Sequence, residues 1–185
     1  MEFGIFHEFP SLSGGSDADS FAAAFDVVDG AEKWGLDAIW LAELHFDPAR
    51  SVLSSPMCVA SAIAARTERM KIGVAVQVLP LCNPLRIAEE AATVDQISQG
   101  RLIFGAGRSG VAATYDAYNI PYSESKERFA ETLEIVRRAW TARGEWVWIF
   151  MPSLTGKAQL GASPRCPSTS TTHIRQAPNP GSFGS

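Results

Sequence analysis

Apolar positions follow two different periods over residues 1–142. Short unbroken apolar runs are typical of strands buried on both faces of a parallel sheet, and longer segments with apolar residues every three or four positions are typical of amphipathic helices. The strand-like runs are residues 3–6, 38–42, 71–79 and 102–104, and the helical segments begin near Asp17, Pro56, Pro84 and Ser123. The resulting order, βαβαβαβα, predicts an α/β fold with parallel strands, in either a barrel or an open doubly wound sheet.

Single positions within these elements carry further expectations. In the third helix, Ile97 is expected within the buried stripe that begins at Ile87, whereas Asp95 is expected outside that stripe. Trp34 is assigned to core or helix packing. Residues 111–122 show no clear period and predict a long connecting loop, of the kind that often serves as a lid or a binding loop.

The character of the sequence changes after Glu145. Residues 146–185 contain no Asp or Glu and three basic residues, and Pro, Gly, Ser and Thr dominate from residue 152 onward. Such a composition buries too little apolar surface to offset the entropy that ordering costs. We therefore predict one domain of residues 1–142 and a disordered tail of residues 143–185.

Composition narrows the class of function. The chain is 46% hydrophobic and 19% charged, as is ordinary for a soluble globular protein, and its net charge of −4 offers no basic footprint for nucleic acid. No apolar stretch is long enough to span a membrane, and the first residues do not form a signal peptide. The three cysteines lack the spacing of a disulfide framework or a zinc site. We expect a cytoplasmic protein that binds a small organic substrate, without contact to nucleic acid or membrane.

A glycine-rich motif, Gly105-Ala106-Gly107-Arg108-Ser109-Gly110, follows the fourth strand. It matches the G-x-G-x-x-G dinucleotide fingerprint, but a polar segment rather than a helix follows it, and the acidic residue at the right distance, Glu127, lies inside a helix. An arginine beside glycines, just past a barrel strand, suits a phosphate or carboxylate. We interpret Arg108 as a candidate anion-binding residue; the alternative is a surface arginine paired with a carboxylate.

Four residues that can move protons or bind metals follow the first two strands: His7, Glu8, Glu43 and His45. All four could converge on one rim of a barrel. Their spacing carries no metal signature, so we predict no metal site and interpret His45 as a proton-handling or substrate-lining residue. At the end of the third strand, small side chains over residues 74–76 would let a flat aromatic cofactor lie against the backbone, although a plain buried strand explains them equally well.

As a set, several segments resemble the bacterial luciferase-like, flavin-dependent monooxygenase family. These segments are residues 1–6, 34–46, 72–80, 83–90 and 95–108, and the resemblance covers roughly residues 1–142 in order. It implies about four βα units of a (β/α)₈ TIM barrel, since the whole barrel takes about 250 residues. The family pattern after the second strand commonly reads Glu-His-His-Phe, whereas this chain reads Glu43-Leu44-His45-Phe46.

The resemblance also implies a function. Reduced FMN, supplied by a flavin reductase, would react with O₂ to oxygenate a small organic substrate; some relatives use a deazaflavin instead. Ala75 and Val76, joined by a non-proline cis peptide bond, would lie against the flavin ring, Arg108 would lie toward the flavin phosphate, and His45 is the candidate catalytic histidine. A homodimer is implied as well.

The second half of such a barrel is not legible, and residues 143–185 read as a truncated or frameshifted continuation. We therefore expect exposed strand edges and a tendency to associate. Two alternatives to an active monooxygenase stay open. One is a non-catalytic remnant that binds flavin or forms dimers, and the other is a metal-dependent barrel hydrolase that uses His7, Glu43 and His45.

Overall fold

The computed structural model describes residues 1–141 and one two-residue strand beyond them. The strands are β1 (Gly4–His7), β2 (Ala38–Leu41), β3 (Lys71–Val78), β4 (Leu102–Gly107) and β5 (Arg175–Gln176). The helices are α1 (Asp17–Lys33), α2 (Pro56–Arg66), α3 (Pro84–Ile97), α4 (Ala112–Ala117) and α5 (Ser125–Thr141). The predicted boundary at residue 142 and the predicted disorder of residues 143–185 lie outside the described residues, apart from β5.

The strands form one parallel sheet in the order β1-β2-β3-β4-β5. The predicted α/β class is confirmed. Neighbouring strands in the sheet are also consecutive along the chain, as in a barrel, whereas a doubly wound sheet reverses its strand order at a switch point. The ladder between β3 and β4 is irregular between Val74 and Gln77, which is where the candidate cofactor residues Ala75 and Val76 stand.

One face of the sheet packs against the helices. Its buried strand residues include Ile39, Leu41, Ile72, Val74 and Phe104, none of which is exposed to solvent. They belong to one hydrophobic cluster with residues of α1, α2, α3 and α5. Burial of this apolar area is the main favourable contribution to the stability of the domain.

The opposite face of the sheet, which we call the open face, is defined by Phe6, Trp40 and Gly73. These residues are in register across β1, β2 and β3. The Trp40 ring lies directly over Gly73, where a Cβ would come within 2.3 Å of the ring. Phe6 is 52% exposed.

Arg101 holds the amino-terminal end of the sheet together. Its guanidinium donates hydrogen bonds to the carbonyl oxygens of Ala64, Thr67 and Met70 and to the Thr67 hydroxyl, at 2.8–3.0 Å. These acceptors lie at the end of α2 and in the loop that leads into β3. One side chain therefore ties the segment before β4 to the end of α2 and to the loop before β3, at the end of the sheet away from the glycine-rich motif.

Two expectations about single elements are wrong, and the one for Trp34 is correct in part. Residues 111–122 are not one irregular loop, because they contain α4, which is too short to show an apolar period. In α3, Asp95 is buried and Ile97 is 43% exposed. Burial raises the pKa of Asp95, and the Leu102 backbone N–H partly offsets that rise. Trp34 is 77% exposed at the end of α1 and so is not a core residue, but its ring lies over Gly30 of the same helix, as the alternative of helix packing predicts.

None of the helices in the described part of the chain is both long and apolar enough to cross a membrane.

Candidate active site

Glu43 is the centre of a hydrogen-bond network at the carboxyl ends of β2 and β3. Its Oε2 accepts hydrogen bonds from the Gln77 side-chain amide at 2.6 Å and from the Val78 backbone N–H at 2.7 Å. Its Oε1 lies 2.8 Å from Nε2 of His45. The Glu43 side chain is only 4% exposed, and a carboxylate so deeply buried is tolerated because donors from three residues surround it.

His45 has a partner at each ring nitrogen. Nε2 faces Glu43, and Nδ1 lies 3.3 Å from the Tyr118 hydroxyl, a long hydrogen bond. Tyr118 also packs edge-on against the His45 ring, with the ring centroids 5.3 Å apart, and it contacts Phe46. The His45 side chain is 10% exposed, so this network lies beneath the surface with the tyrosine at its rim.

The thiol of Cys82 lies on the other side of Gln77. It is 3.4 Å from the Gln77 amide nitrogen and 3.4 Å from the Val78 carbonyl oxygen. Burial, together with the charge of Glu43, raises the pKa of this thiol to about 12. Glu43, His45, Gln77 and Cys82 all border a cavity of about 340 Å³.

A second cluster surrounds Arg108, which follows β4 and is half-buried. Its Nη1 donates a hydrogen bond of 2.8 Å to the Ser125 hydroxyl at the start of α5, and its guanidinium lies 5.9 Å from the centre of the Tyr122 ring. The Tyr115 hydroxyl donates to the Arg108 carbonyl oxygen. Burial raises the pKa of Tyr115 to about 12. Within the described residues no carboxylate forms an ion pair with Arg108, so the surface-pair alternative has no support there.

Ala75 and Val76 lie in β3 between these two clusters, and the peptide bond that joins them is cis. Both residues are half-buried, unlike the fully buried Val74 and Gln77 beside them. The Val76 side chain extends over Gly107 of β4, where a Cβ would come within 2.2 Å of it. A glycine at residue 107 is therefore required for the observed position of Val76.

Of the four residues that could have converged on one rim, the structure pairs only two with each other. Glu43 and His45 are paired, but Nδ1 of His7 accepts the backbone N–H of Phe9 at 3.1 Å, and Glu8 pairs with Arg50. Burial lowers the pKa of His7, which favours the neutral ring. Among the residues that the structure describes, no three His, Cys, Asp or Glu side chains are placed to hold a metal ion.

Tyr118 and Ser125 were not predicted as site residues. Both lie next to short helical segments, and neither belongs to a recognisable motif. The sequence feature that could have indicated a site here is the pair of tyrosines, Tyr115 and Tyr118, which follow Arg108 closely along the chain. Helix α4 carries Tyr115 toward Arg108 and places Tyr118 beside His45, so it connects the two clusters.

Comparison with known proteins identifies the family of this chain. The family model of the luciferase-like monooxygenases matches residues 1–159, which includes the predicted family region and continues beyond it. Limonene 1,2-monooxygenase of Rhodococcus erythropolis is 30% identical over 113 residues, 61% of this chain and 29% of the relative. The alkanal monooxygenase beta chain of Photorhabdus luminescens is 30% identical over 141 residues, 76% of this chain and 43% of the relative.

A further relative, the F420-dependent glucose-6-phosphate dehydrogenase of Kineococcus radiotolerans, is 33% identical over 123 residues, 63% of this chain and 36% of the relative. The chain thus spans less than half the length of each of these curated relatives.

Solved structures show the same fold. Monooxygenase RslO1 from Streptomyces bottropensis superposes with a TM-score of 0.83 at 28% identity, over 95% of this chain and 53% of that one. The oxygenating constituent of 3,6-diketocamphane monooxygenase from Pseudomonas putida, solved in complex with FMN, gives a TM-score of 0.82 at 19% identity, over 95% and 51% of the two chains. This second likeness concerns the fold alone.

Proposed function

Since the chain belongs to the luciferase-like monooxygenase family, we propose that its site binds reduced FMN and, with O₂, oxygenates a small organic substrate. The observation that carries the proposal is the meeting of three features at the carboxyl end of the sheet. These features are the Arg108 cation, the half-buried backbone at Ala75 and Val76, and the His45 and Glu43 pair. Reduced flavin would come from a separate flavin reductase, and the protein would act as a homodimer.

The residues present fit FMN, which combines a flat ring system with an anionic phosphate. Arg108 supplies a cation, and the Ser125 hydroxyl, 2.8 Å from it, supplies a second polar group at the amino end of α5. A helix N-terminus adds backbone N–H donors and a favourable dipole for an anion. The small side chains of Ala75 and Val76, half-buried at the irregular part of β3, leave one edge of that strand accessible to a flat ring.

When bound, the reduced flavin supplies the electrons that O₂ needs to insert one of its oxygen atoms into a substrate. The protein's own residues would perform the remaining tasks. Arg108 would fix the position of the phosphate, and Ala75 and Val76 would form the wall against which the ring lies. His45, whose Nε2 is directed at Glu43, would accept and hold a proton during turnover, because the adjacent carboxylate stabilises a positively charged imidazole.

The experiment is a titration of the full-length chain with oxidised FMN, followed by quenching of flavin fluorescence, in parallel with riboflavin, which lacks the phosphate. We expect tighter binding of FMN than of riboflavin. In Arg108→Ala, FMN affinity should fall about ten- to hundredfold, because a charge-assisted contact is worth about 1.5–3 kcal/mol. Riboflavin affinity should stay the same.

Arg137→Ala is the matched control, because Arg137 lies on α5 and pairs with Glu134 at the exposed surface. It should bind FMN like the unmodified chain. Absence of FMN binding at high micromolar concentration would overturn the proposal. A deazaflavin such as F420 is titrated alongside, and binding of F420 in place of FMN would change the assigned cofactor.

A further inference from the structure

Neither ring nitrogen of His45 is free to meet a ligand. Nε2 is 2.8 Å from Glu43, Nδ1 is 3.3 Å from Tyr118, and only 10% of the histidine side chain is exposed. Tyr118, in contrast, is 40% exposed. The Tyr118 hydroxyl is therefore the outer end of a hydrogen-bonded chain whose inner end is the buried Glu43 carboxylate.

The chemistry of Glu43, His45 and Tyr118 determines which atom donates and which accepts in each of the two hydrogen bonds that connect them. An ionised carboxylate only accepts hydrogen bonds, so Nε2 of His45 must carry the proton that it shares with Glu43. In a neutral imidazole, Nδ1 then has a lone pair and accepts the hydroxyl proton of Tyr118. Burial and the nearby charge of Glu43 raise the pKa of Tyr118, which keeps the hydroxyl protonated and able to donate.

We propose that Tyr118 relays protons between a bound ligand and the His45 and Glu43 pair. A ligand O–H or N–H group transfers its proton to the Tyr118 oxygen while the Tyr118 hydroxyl proton moves to Nδ1 of His45. The bond between the ligand atom and its hydrogen and the original O–H bond of Tyr118 break, while a new O–H bond forms at Tyr118 and an N–H bond forms at Nδ1 of His45, with no change in oxidation state. The resulting imidazolium lies beside the Glu43 carboxylate, which stabilises its charge.

This inference rests on the proposed function, since the relay serves the ligands of that site. It also distinguishes the hydroxyl of Tyr118 from its ring. The ring packs edge-on against His45 and contacts Phe46, and a phenylalanine would keep both contacts. Tyr118→Phe therefore removes the hydrogen bond to Nδ1 while preserving the packing.

The test is ¹⁵N NMR of the histidine rings in the full-length chain, labelled selectively at histidine and free of flavin. The sequence has three histidines, His7, His45 and His173, and loss of one set of signals in His45→Gln assigns the ring. We expect the Nε2–H tautomer in the unmodified chain. In Tyr118→Phe, the Nδ1 resonance should move downfield, as it does when a pyridine-type nitrogen loses a hydrogen-bond donor, while the His7 signals stay in place.

Tyr122→Phe is the control, because Tyr122 lies beside Arg108 rather than His45, and it should leave the His45 signals unchanged. An Nδ1–H tautomer in the unmodified chain, or an Nδ1 resonance that does not respond to Tyr118→Phe, would overturn the relay. Because no flavin is present, this result is independent of the FMN titration. Failure of flavin binding and failure of the relay are thus observed separately.

Discussion

Glu43 illustrates how a buried charge becomes part of a site instead of a defect. A carboxylate removed from water costs several kcal/mol unless hydrogen bonds replace its hydration. Here the replacements come from His45, Gln77 and Val78, which belong to two different strand ends. The same contacts that make burial tolerable also fix the orientation of the His45 ring, so stability and chemistry depend on one residue.

For the two cysteines in the part of the chain that the structure describes, the environment predicts which thiol reacts faster. Cys58 is exposed on α2, whereas burial raises the pKa of Cys82 to about 12. Alkylation requires the thiolate, so at pH 8 we expect iodoacetamide to modify Cys58 at least about tenfold faster than Cys82. Peptide mapping by mass spectrometry measures both rates in one sample.

The Glu43→Gln variant tests the cause of this difference. Glu43 contributes, after burial, to the raised pKa of the Cys82 thiol, so removal of the negative charge should lower that pKa and speed the modification of Cys82 at pH 8–9. The rate for Cys58 should not change. Equal rates for Cys58 and Cys82 in the unmodified folded chain would contradict the described burial.

At the scale of the elements, close approach between β3 and β4 depends on glycine. A Cβ at Gly105 would lie 2.0 Å from the Val74 carbonyl oxygen, and backbone cannot yield as a flexible side chain can. We expect Gly105→Ala to lower the free energy of unfolding by about 1–3 kcal/mol, the usual cost of overpacking. Urea denaturation followed by circular dichroism measures the change.

Gly110 provides the comparison, because a Cβ there would meet nothing within 4 Å. Gly110→Ala should therefore unfold within about 0.5 kcal/mol of the unmodified chain. If both substitutions have the same small effect, the strands do not approach each other as described.

The apolar pattern predicted the order and type of the four strand-and-helix units, because each buries a continuous face whose period is visible in the sequence. The pattern was misleading in α3, where a polar residue lies on the buried face of the helix and an apolar residue is exposed. Asp95 lies on the buried face of α3, where the Leu102 backbone N–H interacts with its carboxyl group, and Ile97 is exposed. Helix α4 escaped detection because six residues are too few to show a helical period.

The same distinction applies to the site. The position of His45 and Arg108 after strands could be predicted, because parallel strands bring their carboxyl ends to one edge of the sheet. The partners of these residues could not be predicted. Tyr118 reaches His45 only through the path of the chain after β4, a separation of 73 residues along the sequence, and no local pattern encodes such a contact.

At the scale of the whole molecule, the open face and the outer edge of β1 present apolar surface to solvent. Phe6 is 52% exposed and Phe3 is 64% exposed, and among the described residues β1 pairs with β2 alone. Exposed apolar patches and unpaired strand edges favour association between chains. Light scattering should therefore give a mass above the 19.9 kDa of one chain, rising with protein concentration.

Substitutions at two residues of similar exposure identify the surface through which the chains associate. Phe6→Lys places a charge on the open face next to the edge of β1 and should shift the protein toward the single-chain mass, since inward-pointing charges block edge-to-edge pairing. Ile97→Lys changes a residue that is 43% exposed at the end of α3, away from the open face, and should leave the mass unchanged. A chain that stays monomeric at high concentration would contradict the expected association. If Ile97→Lys lowers the measured mass and Phe6→Lys does not, the chains associate through the helices and not through the open face.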